Sequence, residues 1–228
     1  MLTIEKTVLP SPEQWEIIIE GMRNPKNSWH LSDSFTTYIE DPQTLEQASF
    51  EHFVGDNDMK LMKQLAGGGA VHAKYRRMIP VFLTINAPLY WWKEFDTYKI
   101  GTVANSCSTM HKIHSKEFSF DDFSKEHLTA HCLAVLDKTV HLLNYYRLEF
   151  LETKDKDCWW QLIQLLPSSY NQRRTVMLNY EVLVGMYRDR RNHKLDEWHT
   201  FCDWIKSLPY SELITGKQQE DCRDENNS

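Results

Sequence analysis

The chain has 228 residues, of which 41% are hydrophobic and 12% aromatic, and a formal net charge of −6. This length and apolar content are enough to bury a substantial core, and they exclude a mostly disordered protein. The acidic balance argues against nucleic acid as the main partner, because proteins that bind phosphate backbones carry an excess of lysine and arginine.

The first predicted element is a helix over residues 11 to 23. Ser11 is a favourable N-cap, Pro12 suits the first helical position, and Gln14 completes a capping box. Apolar residues then follow at helical spacing, which is typical of a helix with one buried face.

Turn-forming residues dominate 24 to 42, with a short strand predicted over 35 to 39. A helical pattern returns over 43 to 66 and ends at three consecutive glycines, Gly67 to Gly69. Such a run predicts either a hinge or a place where the backbone approaches another group closely.

The chain after the three glycines contains one predicted strand and three predicted helices. The run IPVFLTIN, residues 79 to 86, is β-branched and aromatic, which favours a buried strand. Apolar residues at helical spacing predict helices over 123 to 151, over 171 to 190, and from 195 to a point before Pro209.

These elements predict an α+β fold, a helix-rich single domain over residues 1 to 215 with a small, mostly antiparallel sheet. Residues 216 to 228 form a polar tail that is expected to be disordered. No apolar run approaches the roughly 18 residues of a membrane helix, so we expect a cytoplasmic protein without a membrane partner. Five scattered cysteines without CxxC spacing predict reduced thiols.

Two motifs have both a chemical and an ordinary interpretation. His127 and His131 are four residues apart, as in some metal sites, but the intervening glutamate of metalloprotease helices is absent, so we predict no metal. Cys107 is flanked by two serines and precedes His111 by four residues; it is either an activated thiolate or a small residue that lines a pocket.

Basic residues cluster in an otherwise acidic chain. The three clusters are Lys74, Arg76 and Arg77; Arg173 and Arg174; and Arg188, Arg190, Arg191 and Lys194. Guanidinium groups bind phosphate in a bidentate manner, but charged helix faces also serve solubility alone. We favour the third cluster as an anion contact, because His193 and Trp198 adjoin it. Neither GxGxxG nor GxxxxGK[ST] occurs, so ordinary dinucleotide and P-loop folds have no support.

Residues 79 to 112 and 165 to 198 resemble the flavin-dependent thymidylate synthase family. A strand leads to Ala87-Pro88 and an aromatic helix, after which Thr97-Tyr98-Lys99 stand where the family has Arg-His-Arg. Further on, Thr102 replaces a serine, while Asn105, Cys107, Thr109 and Met110 fall on the family's Glu, Ser, Arg and Tyr.

The second block of the resemblance begins at Leu166-Pro167 and contains the matching Asn179. Glu181 takes the place of one family arginine, and Arg190 aligns with another. His72 corresponds to a histidine that contacts flavin in the family. The order and length of the elements are preserved better than their chemistry, so the resemblance supports the fold more than the activity.

The resemblance implies a nucleotide and a flavin as ligands. In the family, FAD and methylenetetrahydrofolate convert dUMP to dTMP, and arginines neutralise the dUMP phosphate. Since a hydrogen bond to a charged group contributes about 1.5–3 kcal/mol, the loss of two such arginines would weaken phosphate binding by roughly 3–6 kcal/mol. The implied nucleotide contacts are Lys99, Thr102, Asn105, Ser106, Cys107, Ser108 and Arg190, and the implied FAD contacts are His72, Tyr98 and Asn179; no catalytic residue is assigned.

Two functions follow from this interpretation. The first is a divergent enzyme, homotetrameric like the family, that binds a dUMP-like nucleotide and FAD and methylates dUMP. The alternative is a catalytically inactive protein that binds or sequesters a nucleotide, as a phage would encode. A structural oligomer without a ligand is the third possibility.

Overall fold

The computed structural model describes residues 1–39 and 49–216. The helices are α1 (Pro12–Arg23), α2 (Asp56–Gly67), α3 (Leu89–Phe95), α4 (Ala130–Thr153), α5 (Lys156–Leu165), α6 (Tyr180–Arg190), α7 (Asp196–Ser207) and α8 (Glu212–Thr215). The strands are β1 (Thr3–Val8), β2 (Phe35–Ile39), β3 (Ser49–Phe53), β4 (Pro80–Pro88), β5 (Val103–Ser106) and β6 (Asn171–Asn179).

The predicted fold class is confirmed, since the chain is helix-rich and has a small antiparallel sheet. The larger sheet has four strands in the order β1-β4-β6-β5, and a separate antiparallel pair joins β2 to β3 with Phe35 opposite Phe53. Within the described ranges, no helix is long and apolar enough to cross a membrane.

The chain divides into two compact units. The first consists of residues 1–6, 83–99 and 104–176, and the second of residues 7–82, 100–103 and 177–228. The prediction of a single domain over residues 1 to 215 stays a prediction. Apart from Gly216, the predicted polar tail lies outside the described residues.

The first unit has its core beneath α4 and α5. A cluster of buried side chains lies there, namely Ile113, Phe118, Phe123, Leu136, Val140, Leu143 and Leu162. Beside the sheet, Trp91, Trp92 and Phe95 of α3 are almost completely buried, with ring centroids 4.9–5.2 Å apart. The aromatic residues of α3 therefore pack in the interior of the first unit.

The second unit contains α1, which begins as the sequence predicts. Gln14 N–H donates to Ser11 Oγ at 3.3 Å, and Ser11 N–H donates back to Gln14 Oε1 at 2.8 Å. Trp15, Ile18 and Ile19 are buried on one face of the helix. At its C-terminal end, Arg23 is buried and forms an ion pair with Asp58 of α2, with 2.5 Å between Arg23 Nε and Asp58 Oδ1.

The predicted helix over residues 171 to 190 is wrong in its first half. Residues Asn171–Asn179 form strand β6, in which Val176 and Leu178 are fully buried and Met177 between them is not. The helix begins at Tyr180, because Asn179 Oδ1 accepts a hydrogen bond from Val182 N–H at 3.1 Å and caps it. Because β6 leads directly into α6, the apolar residues of the strand and of the helix together show a spacing that resembles one long helix.

Two other predicted helices begin later than expected. Phe123 does not start α4; it pairs with Tyr170 in an antiparallel bridge, and Thr129 is the N-cap of the helix. The helix predicted over 43 to 66 is observed only from Asp56, since residues 49–53 form β3; residues 40–48 lie outside the described ranges. Helix α5 is not among the predicted elements, whereas the strand over 35–39, β4 and α7 agree with prediction.

Candidate functional site

The polar loop after helix α3 begins with a tight turn. Thr97 N–H donates to Glu94 O at 3.2 Å, and the Thr97 hydroxyl donates to the same carbonyl at 2.8 Å. Tyr98 N–H donates to Phe95 O at 3.0 Å. The Thr97 side chain therefore caps the end of α3, whereas the side chain of Lys99 is exposed and presents its charge to solvent.

Strand β5 and the two residues after it present polar side chains at the surface of the first unit. Asn105, Ser106, Cys107 and Ser108 are all exposed. The backbone beneath them is fixed on both sides of Cys107. Its N–H donates to Arg173 O at 2.9 Å, and its carbonyl accepts a hydrogen bond from Gln172 Nε2 at 2.8 Å. The segment is thus rigidly attached to β6 while its side chains face solvent.

Gln172 is the residue that supports this segment, and no sequence motif indicates it. It is buried, and its side-chain oxygen accepts a hydrogen bond from Arg174 Nε at 2.9 Å. Arg174 lies over the Trp92 ring, 4.2 Å from the ring centroid, and pairs with Asp96 at 2.8 Å. Cation–π contact and ion pairing together hold the guanidinium in place. Arg174 therefore orients Gln172, which in turn holds the backbone of the segment at Cys107.

The Cys107 thiol is exposed, but the geometry does not activate it. Among the described residues, no hydrogen bond joins His111 to Cys107; the His111 backbone N–H donates to Ser108 Oγ at 3.0 Å. A nucleophilic cysteine needs a base within hydrogen-bond reach. The structure therefore favours the interpretation of Cys107 as a small residue beside a binding surface.

In the second unit, Thr102 and Asn179 lie near the turn at Gly101. Gly101 has a φ of +80°, and a Cβ there would lie 3.0 Å from Val182 Cγ2. Asn179, a predicted FAD contact, instead caps α6 with its side-chain oxygen. The Thr102 hydroxyl is buried and has no hydrogen-bond partner among the described residues, so it retains capacity to bind a ligand.

Glu181, which stands where the resemblance places an arginine, faces a cation of its own unit. Its Oε2 atom lies 3.7 Å from Arg76 NH1, and the two side chains are 25% and 11% exposed. Neither Glu181 Oε2 nor Arg76 Nε has a hydrogen-bond partner in the described part of the chain. The charge change at position 181 is therefore accompanied by a nearby opposite charge.

His72 and Arg190, two further predicted contacts, also belong to the second unit. The His72 ring packs beside Gly68, where a Cβ would lie 3.1 Å from His72 Cδ2, and the side chain is exposed. The Arg190 guanidinium lies 5.0 Å from the Trp198 ring centroid, a cation–π distance. Trp198 thus orients the arginine of the third basic cluster.

The predicted site residues fall into both units. Tyr98, Lys99 and residues 105–108 belong to the first, and His72, Thr102, Asn179 and Arg190 to the second. Residues 105–108 form one exposed segment, and Thr102 follows directly after the Gly101 turn. Their assignment to shared ligands stays a prediction. Over residues 1–39 and 49–216, no group of three or more His, Cys, Asp or Glu side chains is arranged to hold a metal ion.

The fold is similar to that of solved flavin-dependent thymidylate synthase structures. The chain is similar to a structure of thymidylate synthase X (ThyX) from Helicobacter pylori with FAD and dUMP, with a TM-score of 0.65 and 15% identity over 94% of this chain and 97% of that chain. A second structure of the Helicobacter pylori enzyme, also complexed with FAD and dUMP, gives a TM-score of 0.61 and 16% identity with the same coverage.

The likeness concerns the fold. No protein-family model matches the sequence. No curated protein matches it either. At 15% identity, the shared fold does not carry the activity of the Helicobacter pylori enzyme to this chain.

Proposed function

We propose that the chain binds a dUMP-like nucleotide. The observation that carries this proposal is the likeness, over 94% of the chain, to a structure that contains FAD and dUMP. The exposed residues of β5 and the segment after it support the proposal, because their backbone is fixed and their side chains offer donors and acceptors. Lys99 supplies charge for the phosphate, and Asn105, Ser106 and Ser108 orient the ligand.

The remaining contacts are assigned by the resemblance. Thr102, Cys107 and Arg190 are the further nucleotide contacts that the resemblance implies, and the unpaired hydroxyl of Thr102 is consistent with a ligand contact. Arg190→Ala should weaken dUMP binding about tenfold, or 1.4 kcal/mol. Undiminished affinity in this variant would remove Arg190 from the site.

FAD is the proposed cofactor, and the residue types fit it in part. His72 is exposed and is followed by the exposed cations Lys74 and Arg77, which suit the negative charge of a diphosphate. Asn179 fits less well, because its side-chain oxygen already caps α6. His72 and Tyr98 are therefore the better candidates to contact the flavin. When bound, FAD supplies hydride-transfer chemistry, and an active protein would methylate dUMP to dTMP.

A second candidate function is a catalytically inactive protein that binds or sequesters the nucleotide. Glu181, where the resemblance expects an arginine, favours this alternative. Its charge is held by Arg76, so the position no longer offers a preorganised cation to stabilise developing charge.

Calorimetry with dUMP and a panel of mononucleotides and flavins tests binding. Asn105→Asp places a negative charge in the exposed segment without changing side-chain size, and it should weaken dUMP binding at least about tenfold by repulsion of the phosphate. Asn57→Asp is the matched control, since Asn57 is also exposed but lies in the first turn of α2. If no panel member binds, the nucleotide proposal is wrong. If both variants bind dUMP equally, the exposed segment is not the binding site.

Two measurements separate the enzyme from the inactive binder. Purified protein with bound oxidised FAD would be yellow. Tritium release from labelled dUMP in the presence of methylenetetrahydrofolate, FAD and NADPH, at more than about 0.01 per second, would establish the enzyme. Nucleotide binding without tritium release would establish the alternative.

A homotetramer is proposed from the exposed apolar surface of α4. Of the 24 residues of this helix, Leu136, Val140 and Leu143 are buried. Four large apolar side chains of the helix are at least 44% exposed, namely Val135, Leu142, Tyr145 and Leu148. Several large apolar side chains exposed on one helix are typical of an interface. Light scattering that shows a monomer at micromolar concentrations would contradict the proposal.

A further inference from the structure

A cavity of about 520 Å³ lies in the second unit, apart from the proposed nucleotide contacts. Its walls come from the C-terminal half of α2, the turn before β4, and α8. The lining residues are Lys63, Ala66, Gly67, Arg76, Glu212, Leu213 and Gly216. Cavities of roughly 300–1,000 Å³ are the size that small-molecule ligands occupy.

Arg76 is the most buried of the charged residues that line this cavity. Only 9% of the residue is exposed, and its Nε atom has no hydrogen-bond partner among the described residues. Its contact with Glu181 is 3.7 Å long, which is beyond hydrogen-bond distance. A guanidinium has five donors in a planar fork, so one edge can face Glu181 while another binds a second carboxylate.

The charges around the cavity select the class of anion. Lys63 Nζ lies 3.5 Å from Glu212 Oε1; both residues line the cavity, and both side chains are about half exposed. Together with Arg76 and Glu181 these groups sum to zero formal charge. A singly charged carboxylate therefore fits better than a phosphate dianion, because the two cations are already matched by Glu212, which lines the cavity, and by Glu181, which pairs with Arg76 but is not a lining residue.

The remaining walls are apolar or lack side chains. Ala66 and Leu213 contribute methyl groups, and a Cβ built on Gly67 or Gly216 would meet no atom within 4 Å. The glycines leave room for a ligand, and Ala66 and Leu213 offer it apolar contact, which favours binding of a hydrocarbon group.

We propose that this cavity binds a small organic monocarboxylate, with its carboxylate on Arg76 and its apolar body against Ala66 and Leu213. The site is independent of the nucleotide proposal, since none of the proposed nucleotide or FAD contacts lines the cavity.

The test uses benzoate and hexanoate as probes, measured by calorimetry and by ligand-observed NMR with the full-length protein. Benzamide and phenyl phosphate are comparators of similar shape, the first without charge and the second with a larger charge. At least one of the two carboxylates should bind saturably. Benzoate should also bind about tenfold more tightly than either comparator.

Two variants locate the binding. Gly67→Met extends a side chain into the cavity from the end of α2 without steric conflict, and it should abolish binding. Gly185→Met is the matched control, because Gly185 is also a helical glycine with open space around its Cβ and does not line the cavity. Arg76→Lys keeps the charge but removes the planar fork, and it should weaken benzoate at least fivefold.

The proposal is overturned if neither carboxylate binds saturably, if phenyl phosphate or benzamide binds as tightly as benzoate, or if Gly67→Met binds like the unmodified protein. Should Arg76→Lys fail to fold, the two glycine variants decide the matter, since neither removes a charged group. If dUMP binds, unchanged dUMP affinity in Gly67→Met would show that the cavity is separate from the nucleotide site; if dUMP does not bind, the carboxylate measurements still test the cavity on their own.

Discussion

Replacement of Asp58 by asparagine should destabilise the protein by about 3–5 kcal/mol, the usual cost of leaving one member of a buried ion pair without its partner. The Asp58 carboxylate is fully buried and accepts hydrogen bonds from Arg23 Nε at 2.5 Å and from the hydroxyls of Ser32 and Ser34, each at 2.7 Å. It also accepts from the backbone N–H groups of Asp33 and Ser34 at 3.1 Å. Asparagine keeps the shape but replaces one acceptor oxygen with a donor, so Arg23 or the segment 32–34 then faces a donor.

Asp56→Asn is the matched control for this experiment. Asp56 lies in the same first turn of α2 but is exposed, so its loss removes only the interaction with the helix dipole, about 0.3–1 kcal/mol. Urea unfolding followed by tryptophan fluorescence measures both variants. The double variant Arg23→Met, Asp58→Leu should lose less free energy of unfolding than the single variants Arg23→Met and Asp58→Leu lose together. The reason is that the double variant leaves no buried charge unpaired.

The same pair predicts a dependence on pH. Burial raises the pKa of Asp58, but the hydrogen bonds from Ser32, Ser34 and Arg23 outweigh burial and lower the pKa below its ordinary value of 3.8. The stabilisation is therefore complete above pH 3.8 and is lost as the pH falls through the lower pKa of the folded state. The difference in stability between the unmodified protein and Asp58→Asn should shrink in this acid range. Equal costs for Asp56→Asn and Asp58→Asn, or a cost of Asp58→Asn that does not change with pH, would refute the reasoning.

Three other variants test one hydrogen bond in each unit and the exposed face of α4. Gln172→Leu removes the donor to the Cys107 carbonyl and should lower dUMP affinity at least about threefold by calorimetry, with about 1 kcal/mol lost in stability. Tyr180→Phe removes a 2.6 Å hydrogen bond to the Pro209 carbonyl and should cost about 1–3 kcal/mol in urea unfolding; burial raises the pKa of this phenol, so it stays a donor at neutral pH. Leu148→Glu places a charge on the exposed face of α4 and should dissociate the proposed tetramer in light scattering, whereas an unchanged mass would remove this face from the interface.

Local sequence signals predicted the elements whose ends are determined by neighbouring residues. The capping box at Ser11 and Gln14 is confirmed because both of its hydrogen bonds join residues three positions apart. Strand β4 was recognised because its β-branched and aromatic residues are buried in a sheet. In both cases the residues that define the element lie next to one another in sequence.

The errors arise where tertiary contacts decide the conformation. Val176 and Tyr180 are four residues apart, as in a helix, yet one lies in a strand and the other begins α6. Strand pairing of β6 with β4 and β5 overrides the helical spacing, and periodicity alone does not reveal that pairing. The support of Cys107 by Gln172 likewise joins residues 65 positions apart, so no local pattern indicates it.

Glu181 stands where the family resemblance implies an arginine, and an uncompensated carboxylate there would repel the phosphate of a bound nucleotide. With Arg76 NH1 at 3.7 Å, the two charges largely compensate each other at longer range. We therefore attribute any weakness of nucleotide binding to the lost arginine hydrogen bonds and not to added repulsion. Glu181→Gln should change dUMP affinity by less than about twofold, but it should destabilise the protein by about 1–3 kcal/mol, because Arg76 is then buried without an anion. Calorimetry and urea unfolding separate these effects, and a tenfold gain in dUMP affinity would show instead that Glu181 faces the ligand.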